Sequence, residues 1–263
     1  MKIAICFSGQ PRFVDECHEA IKTNLIDANG HHQVDVFVHT WFSEEICEKP
    51  LYTTDFSSFS GGAKIKRNVI ERIKELYSPV ALRFDEPLEL ETSDIENRWD
   101  SLAITNYLKW SNEYKNEIKP TERQLKKTES AYSIYYSIMQ SNMLKILHEV
   151  RTGEKYDLVI KLRFDNKLQR PLVFDGIDTN FMYSEELGNA HYEINDWINF
   201  SSSQNMDRMA SIFYNFNEIT KLSTDNYGGW SNESLIGSIC NIYDIQSKTT
   251  YLGSKIPTWG KYV

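Results

Sequence analysis

The residues best suited to chemistry follow a short apolar run in the middle of the chain. The run 158–162 is followed by Arg163, Asp165, Asn166 and Lys167. Such a run predicts a strand that is buried on both faces. Because ligands of open α/β sheets bind just beyond the carboxyl ends of the strands, a guanidinium and a carboxylate are expected where such folds do chemistry. A solvated ion pair at the strand end is an equally good interpretation.

A glycine turn follows the first predicted strand, Lys2 to Phe7. It contains Ser8, Gly9, Gln10 and Arg12. The order of strand, glycine turn and helix start presents backbone N–H groups to an anion or a ring edge. The turn is not a P-loop, which ends in Gly-Lys-Ser/Thr, and it is not a dinucleotide fingerprint, which needs three glycines. It could line a nucleotide, or it could be a plain turn between strand and helix.

Thr40 and Trp41 follow the second predicted strand, Val34 to His39. If the first two strands are neighbours, these two residues lie beside the glycine turn. Trp41 could stack on a base or a sugar. A tryptophan at a strand end more often caps the core, so both interpretations are kept.

The elements that would position these residues alternate between strand and helix. Buried strands are predicted at 2–7, 34–39 and 80–84, and amphipathic helices at 13–26 and 65–77. This alternation predicts an α/β fold with a mostly parallel central sheet and helices on both faces.

The second half of the chain has a less regular pattern. A charged helical insertion is predicted at 86–127, with a helix-like middle around 101–118, and a long helix is predicted at 128–150. The other predicted elements are a central strand within 156–168, strands at 181–184, 192–200 and 242–245, and helices at 205–220 and 232–240.

Composition excludes several classes of protein. The net charge of −8 over 263 residues, without a basic run, argues against a nucleic-acid partner. Four cysteines without a CxxC pair indicate free thiols in a reducing compartment, not a disulfide or zinc scaffold. The pair His31–His32 is interpreted as a polar loop. The absence of a signal peptide and of a membrane-length apolar run predicts a cytoplasmic protein without a transmembrane segment.

Three segments together resemble a known group of enzymes. ICFSGQPRF follows the first strand, DVFVHTWF spans the second, and YDLVIKLRFDNKL follows the long helix. In this order they resemble nucleotide-sugar glycosyltransferases of the GT-A fold, in particular capsular, lipopolysaccharide and large-DNA-virus transferases with SGQxR, DVFxHTW and YDxxIKxRxD. The resemblance covers Lys2 to about Leu168, and INDWINF and NESLIG match more loosely.

The resemblance implies one Rossmann-like GT-A domain over 1–263. It has a nucleotide-binding half at 1–85, the insertion at 86–127, and a metal and acceptor half at 128–263. The implied partners are a nucleotide-sugar donor and a glycan or glycoconjugate acceptor, in the cytoplasm, or in the host cytoplasm if the protein is viral. The implied donor-binding residues are Ser8, Gly9, Gln10, Arg12, Thr40, Trp41 and Arg163.

The resemblance also implies Mn²⁺ or Mg²⁺ on the donor diphosphate, held by Asp165. The usual Asp-x-Asp motif is incomplete, because Lys167 stands where the second aspartate would be. Either Asp165 alone anchors a hydrated cation, or Arg163 and Lys167 neutralise the diphosphate without a metal. Alternatively, Arg163 has only a structural role and holds the loop after the strand in place.

Catalysis by an inverting hexosyl- or deoxyhexosyltransferase needs a carboxylate that takes the acceptor proton. Asp196 is the first candidate for this base, and Glu233 is a candidate for acceptor or donor-sugar contact. They could instead be a strand-edge carboxylate and an ordinary first-turn helix acid. A retaining mechanism, a non-catalytic carbohydrate- or nucleotide-binding module and another group-transfer enzyme such as a sulfotransferase are the alternatives.

Overall fold

The structure is a computed structural model, and it describes residues 1–48, 64–88, 101–110, 122–185 and 194–250. Within these ranges the strands are β1 (Lys2–Phe7), β2 (Gln33–Trp41), β3 (Ala81–Asp85), β4 (Leu158–Leu162), β5 (Met182–Glu185), β6 (Ile198–Ser201) and β7 (Ser247–Thr250). They form one sheet in the order β3-β2-β1-β4-β6-β5-β7.

β1 lies at the centre of a parallel block. It pairs in parallel with β2 and β4, so that Ile5 lies opposite Val36 on one side and Ile160 on the other. β2 also pairs in parallel with β3, and β5 with β7, whereas β6 runs antiparallel to β4 and β5. The sheet formed by the described strands is therefore mostly parallel. The carboxyl ends of β1 to β4 share one edge, where the predicted site residues follow the strands.

The helices of the described ranges are α1 (Val14–Ile21), α2 (Glu44–Glu48), α3 (Val69–Tyr77), α4 (Ser101–Trp110), α5 (Glu122–Thr152), α6 (Ser203–Ala210), α7 (Phe216–Tyr227) and α8 (Asn232–Ile242). None of them combines the length and the apolarity that a bilayer crossing requires.

Helices cover both faces of the sheet, because side chains alternate along each strand. Ile3, Ile5 and Phe7 pack in one apolar cluster with α1 and α3. Ala4 and Cys6 face the other way and pack with α4 to α8. The predicted α/β fold class, with a mostly parallel sheet between two layers of helix, is confirmed.

Several predicted helices have different boundaries in the structure. The helix predicted at 65–77 begins only at Val69. The helix predicted at 13–26 ends at Ile21 and continues as a π-helical turn, Lys22–Ile26. The long helix begins at Glu122, inside the predicted insertion. Its first turns are charged and lack the apolar spacing from which helices are inferred.

The last predicted strand, at 242–245, is wrong. α8 runs to Ile242, Asp244 adopts a left-handed conformation with φ of 52°, and β7 follows only at Ser247. Aspartate tolerates this conformation better than most residues, so the apolar residues around it belong to a turn.

The strand predicted at 192–200 is shorter than expected. β6 begins at Ile198, and Asp196 precedes it instead of lying inside it. Residues 192 and 193 of the predicted strand lie outside the described residues. The helix predicted at 205–220 is divided by a 3₁₀ turn, Ser211–Phe213.

Candidate functional site

The loops after three parallel strands are hydrogen-bonded to one another at the carboxyl edge of the sheet. The Ser8 N–H donates to the Leu162 carbonyl at 3.0 Å, and the Thr40 hydroxyl donates to the Gly9 carbonyl at 2.8 Å. Gly9 has φ of 102°, which side-chain-bearing residues rarely adopt. The turn after β1 is thus held against the ends of β2 and β4, as the sequence predicted.

Two arginines converge on Asp165 beside this turn. Arg163 donates from Nε to Oδ1 at 2.9 Å and from Nη2 to Oδ2 at 2.8 Å. Arg12 donates from Nη2 to Oδ2 at 2.5 Å. The Asp165 side chain is 3% exposed, and those of Arg12 and Arg163 are partly buried, so the cluster is not a solvated ion pair.

The ionisation of Asp165 follows from these neighbours. Burial alone would raise the pKa of Asp165, but the charges and hydrogen bonds of Arg163 and Arg12 outweigh it and hold the pKa well below its usual range. Asp165 is therefore a carboxylate at any physiological pH. Its charge compensates the two guanidinium groups, and the cluster retains one net positive charge.

This arrangement does not fit a divalent cation at Asp165. Both carboxylate oxygens already accept hydrogen bonds from guanidinium groups, which would compete with a metal ion. Among the described residues, the only His, Cys, Asp and Glu side chains grouped closely enough to hold an ion lie elsewhere. Lys167 is exposed and supplies no oxygen ligand. Binding of Mn²⁺ or Mg²⁺ by Asp165 stays a prediction, and the geometry of the arginine contacts argues against it.

Asn166 contributes hydrogen-bonding capacity that the described residues leave unused. Its side chain is buried, with the residue 1% exposed, yet neither amide atom has a partner within the described part of the chain. The same holds for Nε of Arg12. A buried polar group without a partner costs about 1–3 kcal/mol, so these atoms are well placed to bind a polar ligand.

Both predicted catalytic carboxylates lie near the charged cluster. The Lys161 ammonium donates to the Asp196 carbonyl, and the Ile194 N–H donates to the Glu233 carbonyl at 3.2 Å. These contacts bring the segment before β6 and the start of α8 to the end of β4. Arg163 interacts electrostatically with both carboxylates.

The Asp196 side chain is buried, and its carboxylate is not engaged by hydrogen bonds within the described part of the chain. The residue is 6% exposed, and no hydrogen bond from the described ranges holds its carboxylate. Burial lowers the pKa of the neighbouring Lys161 to about 8, while the negative charge of Asp196 opposes this shift. Lys161 therefore carries most of its positive charge at neutral pH.

Trp41 occupies an interior position. The residue is 5% exposed, its ring stacks on Tyr136 with centroids 5.3 Å apart, and its edge meets the His39 ring. This placement suits the role of a core cap. A stacking contact of Trp41 with a donor stays a prediction. Gln10 is half-buried in the turn, where its carbonyl accepts from the Arg12 N–H at 2.8 Å.

A buried relay that sequence reasoning missed positions the glycine turn. The Gly9 N–H donates to Ser137 Oγ at 2.6 Å, Ser137 Oγ lies 2.8 Å from His39 Nδ1, and His39 Nε2 lies 3.1 Å from Asp85 Oδ2. Serine, histidine and aspartate resemble a nucleophilic triad in type. Ser137 and His39 are fully buried, however, and the serine is occupied by the turn. The relay therefore holds the turn in place.

Lys161 was also missed, although the sequence carries a signal for it. A lysine within the run LVIKL is unusual in a strand that is buried on both faces. For the relay, the sequence offers only a weak indication, which is the histidine near the end of the apolar strand β2. Nothing in the sequence points to Ser137, because its role depends on how α5 packs on the sheet.

No protein-family model matches this chain, and no curated protein matches its sequence. The function is therefore inferred from the geometry of the site.

Proposed function

We propose that this protein is a glycosyltransferase that moves a sugar from a nucleoside diphosphate sugar to a hydroxyl group of a glycan acceptor. The observation that carries this proposal is the pair of arginines, Arg12 and Arg163, held by Asp165 beside the Gly9 turn. A planar guanidinium binds phosphate oxygens through two parallel hydrogen bonds, and two such groups suit a diphosphate.

In this proposal the arginines bind the donor diphosphate and Asp165 positions them. As the bond from the anomeric carbon to the diphosphate oxygen breaks, negative charge builds on the leaving group. The positive charges of Arg12, Arg163 and Lys161 stabilise that charge without a metal ion. The amide of Asn166 offers both a donor and an acceptor to the donor substrate.

Asp196 is the proposed general base. The acceptor hydroxyl oxygen attacks the anomeric carbon, its proton passes to the Asp196 carboxylate, and the nucleoside diphosphate leaves with the bonding electrons. This single displacement makes the enzyme inverting. Glu233, at the start of α8 next to the same segment, contacts the acceptor or the donor sugar.

A non-catalytic module that binds a nucleotide or a carbohydrate is the second candidate. The hydrogen bonds from two arginines to Asp165 favour this candidate. In the enzymes that the chain resembles, the aspartate at this position would bind a metal ion, and here its oxygens are already occupied. Such a module would bind a donor and leave it intact.

A donor screen followed by a product assay tests the proposal. Nucleotide sugars that differ in base and sugar are added to the native protein, and a donor that binds raises the melting temperature by mass action. With that donor and an acceptor glycan, the enzyme releases free nucleoside diphosphate, whereas a binding module releases none.

Asp196→Asn separates binding from chemistry. Loss of a general base lowers turnover by about 10²–10⁴-fold, while the donor-induced shift in melting temperature stays unchanged. Asp225→Asn, an equivalent charge change at an exposed position of α7, retains full turnover. Full turnover by Asp196→Asn would refute the role of Asp196 as the base.

A further inference from the structure

A histidine–histidine–aspartate cluster lies apart from the candidate site. His31 Nε2 is 2.9 Å from Asp175 Oδ1, and His32 Nε2 is 3.1 Å from the same oxygen. The two imidazole rings are 4.0 Å apart between centroids. One ligand atom from each of the three side chains lies within 4.8 Å of the other two. Two imidazole nitrogens and a carboxylate oxygen form a donor set typical of zinc and related transition metals.

The two segments that carry these side chains are fastened together by a buried asparagine. Asn29 Nδ2 donates to the carbonyls of Leu25 and Leu172, each at 2.7 Å, and its Oδ1 accepts from the Phe174 N–H at 3.1 Å. The His32 N–H donates to the Asn29 carbonyl at 2.9 Å. The backbone before each ligand is therefore fixed, and the three side chains are brought together without rearrangement of the chain.

His32 is the most buried of the three side chains. It is 10% exposed, whereas those of His31 and Asp175 are 52% and 61% exposed. The buried Nε2 atom lies 3.1 Å from Asp175 Oδ1, so the ring nitrogen that would bind an ion already lies beside the carboxylate of the cluster.

We infer that His31, His32 and Asp175 bind a divalent transition-metal ion, with Zn²⁺ the best match to this donor set. Water completes the coordination on the exposed side, where His31 and Asp175 are both more than half exposed. Sequence patterns alone predict only a polar loop pair here, because Asp175 is 144 residues from His31 and no local motif joins them.

The metal ion in this site has a structural role. His32 immediately precedes β2, whereas Thr40 and the glycine turn lie at the opposite end of that strand, about 25 Å away at 3.3 Å per residue. The ion would join the loop before β2 to the segment after Phe174, and it would stabilise the fold without touching the candidate site.

Calorimetric titration of the untagged, metal-free protein with Zn²⁺ tests this inference. The titration is run at about pH 8, because an imidazole binds a metal ion only through a deprotonated ring nitrogen. We expect saturable binding of one Zn²⁺ per chain and a higher melting temperature with Zn²⁺. Mg²⁺, which prefers oxygen ligands, produces neither effect.

Asp175→Asn and His31→Asn identify the ligands. Each removes an exposed side chain and is expected to weaken Zn²⁺ binding by at least about tenfold. The variant Asp225→Asn is the control and binds Zn²⁺ like the native protein. Co²⁺ gives a visible d–d spectrum in the native protein that both ligand variants lose. If no saturable binding is found, or if the ligand variants bind as the native protein does, the cluster is an ordinary ion pair. This outcome is independent of any sugar transfer.

Discussion

His39 lies fully buried between Ser137 and Asp85, and its burial governs its titration. Burial lowers the pKa of His39 to about 4 from the usual 6.5, although the hydrogen bond and the charge of Asp85 oppose the shift. The imidazole is therefore neutral at pH 7. The neutral ring accepts from the Ser137 hydroxyl through Nδ1 and donates to Asp85 through Nε2. Protonation would replace that acceptor with a donor and disturb the relay that holds Gly9.

The depressed pKa of His39 predicts acid sensitivity. The unfolded chain binds a proton near pH 6.5 and the folded protein only near pH 4, so the stabilisation is complete above about pH 6.5 and is lost as the pH falls toward 4. At pH 5 the free energy of unfolding should be lower by about 2 kcal/mol from this residue alone.

Urea unfolding of the native protein and of His39→Gln, each at pH 7.5 and pH 5, measures how much the free energy of unfolding falls with pH. The variant lacks the titrating group and should lose about 2 kcal/mol less between the two pH values. Other carboxylates titrate in both proteins and cancel in the comparison. An equal loss in both proteins would contradict the assigned protonation state.

The residues that carry charge in the candidate site were largely predictable, and the contact between Arg12 and Asp165 was not. Both were selected because each follows a strand whose end had to meet the same sheet edge. Their contact spans 153 positions in the chain, whereas Arg163 and Asp165 are two positions apart and their ion pair was one interpretation of the sequence. The metal-ligand role of Asp165 was implied by the resemblance, without knowledge of the guanidinium groups around it.

At the scale of elements, the long helix α5 is fastened to the rest of the fold by a buried ion-pair network. Lys145 Nζ donates to Ser203 Oγ and to Asp207 Oδ1, each at 2.6 Å, and lies 3.4 Å from Glu149 Oε2. Glu149 Oε1 also accepts from the Tyr156 N–H at 3.0 Å. The network joins α5 to α6 and to the turn that leads into β4. Because α5 carries Ser137, it also sets the position of the glycine turn.

Lys145→Met should therefore destabilise the protein strongly. Removing one partner of a buried ion pair costs about 3–5 kcal/mol. Here Asp207 loses its compensating charge, and Glu149 keeps only its pair with Lys155. Chemical unfolding of the variant measures the loss. Lys221→Met, at an exposed position of α7, is the matched control and should change the free energy of unfolding by about 0.5 kcal/mol or less. A loss below about 1 kcal/mol for Lys145→Met would show that the network does not anchor α5.

At the scale of the whole molecule, the two proposed sites lie at opposite edges of one sheet. The candidate transferase site follows the carboxyl ends of β1, β2 and β4, and the histidine cluster precedes the amino end of β2. The chain has a net charge of −8, so a negatively charged donor depends on local cations, above all Arg12 and Arg163, for attraction.

The two sites should therefore respond independently to chelation. EDTA removes Zn²⁺ from the histidine cluster and lowers the melting temperature to that of the metal-free protein. It leaves the donor-induced shift in melting temperature and the release of nucleoside diphosphate unchanged, because arginines hold the diphosphate.

Added Mg²⁺ or Mn²⁺ provides the opposite test. If either ion is required for donor binding after EDTA treatment, a carboxylate at the candidate site holds a metal after all. The proposal that arginines bind the donor diphosphate without a metal ion would then be wrong, whereas the transferase proposal would stand.

The sequence by itself determined the class of fold and the edge at which the site lies. Hydrophobic periodicity is local, so alternating strands and helices can be identified without knowledge of packing, and parallel strands bring their carboxyl ends to one edge. Only the tertiary structure decided which groups meet. It placed two guanidinium groups on Asp165, joined Gly9 to His39 through Ser137, and brought Asp175 to His31 and His32. Except for Arg163 and Asp165, which are two positions apart, these contacts join residues about 100–150 positions apart. Their approach depends on how the helical layers pack on the sheet, which no local pattern specifies.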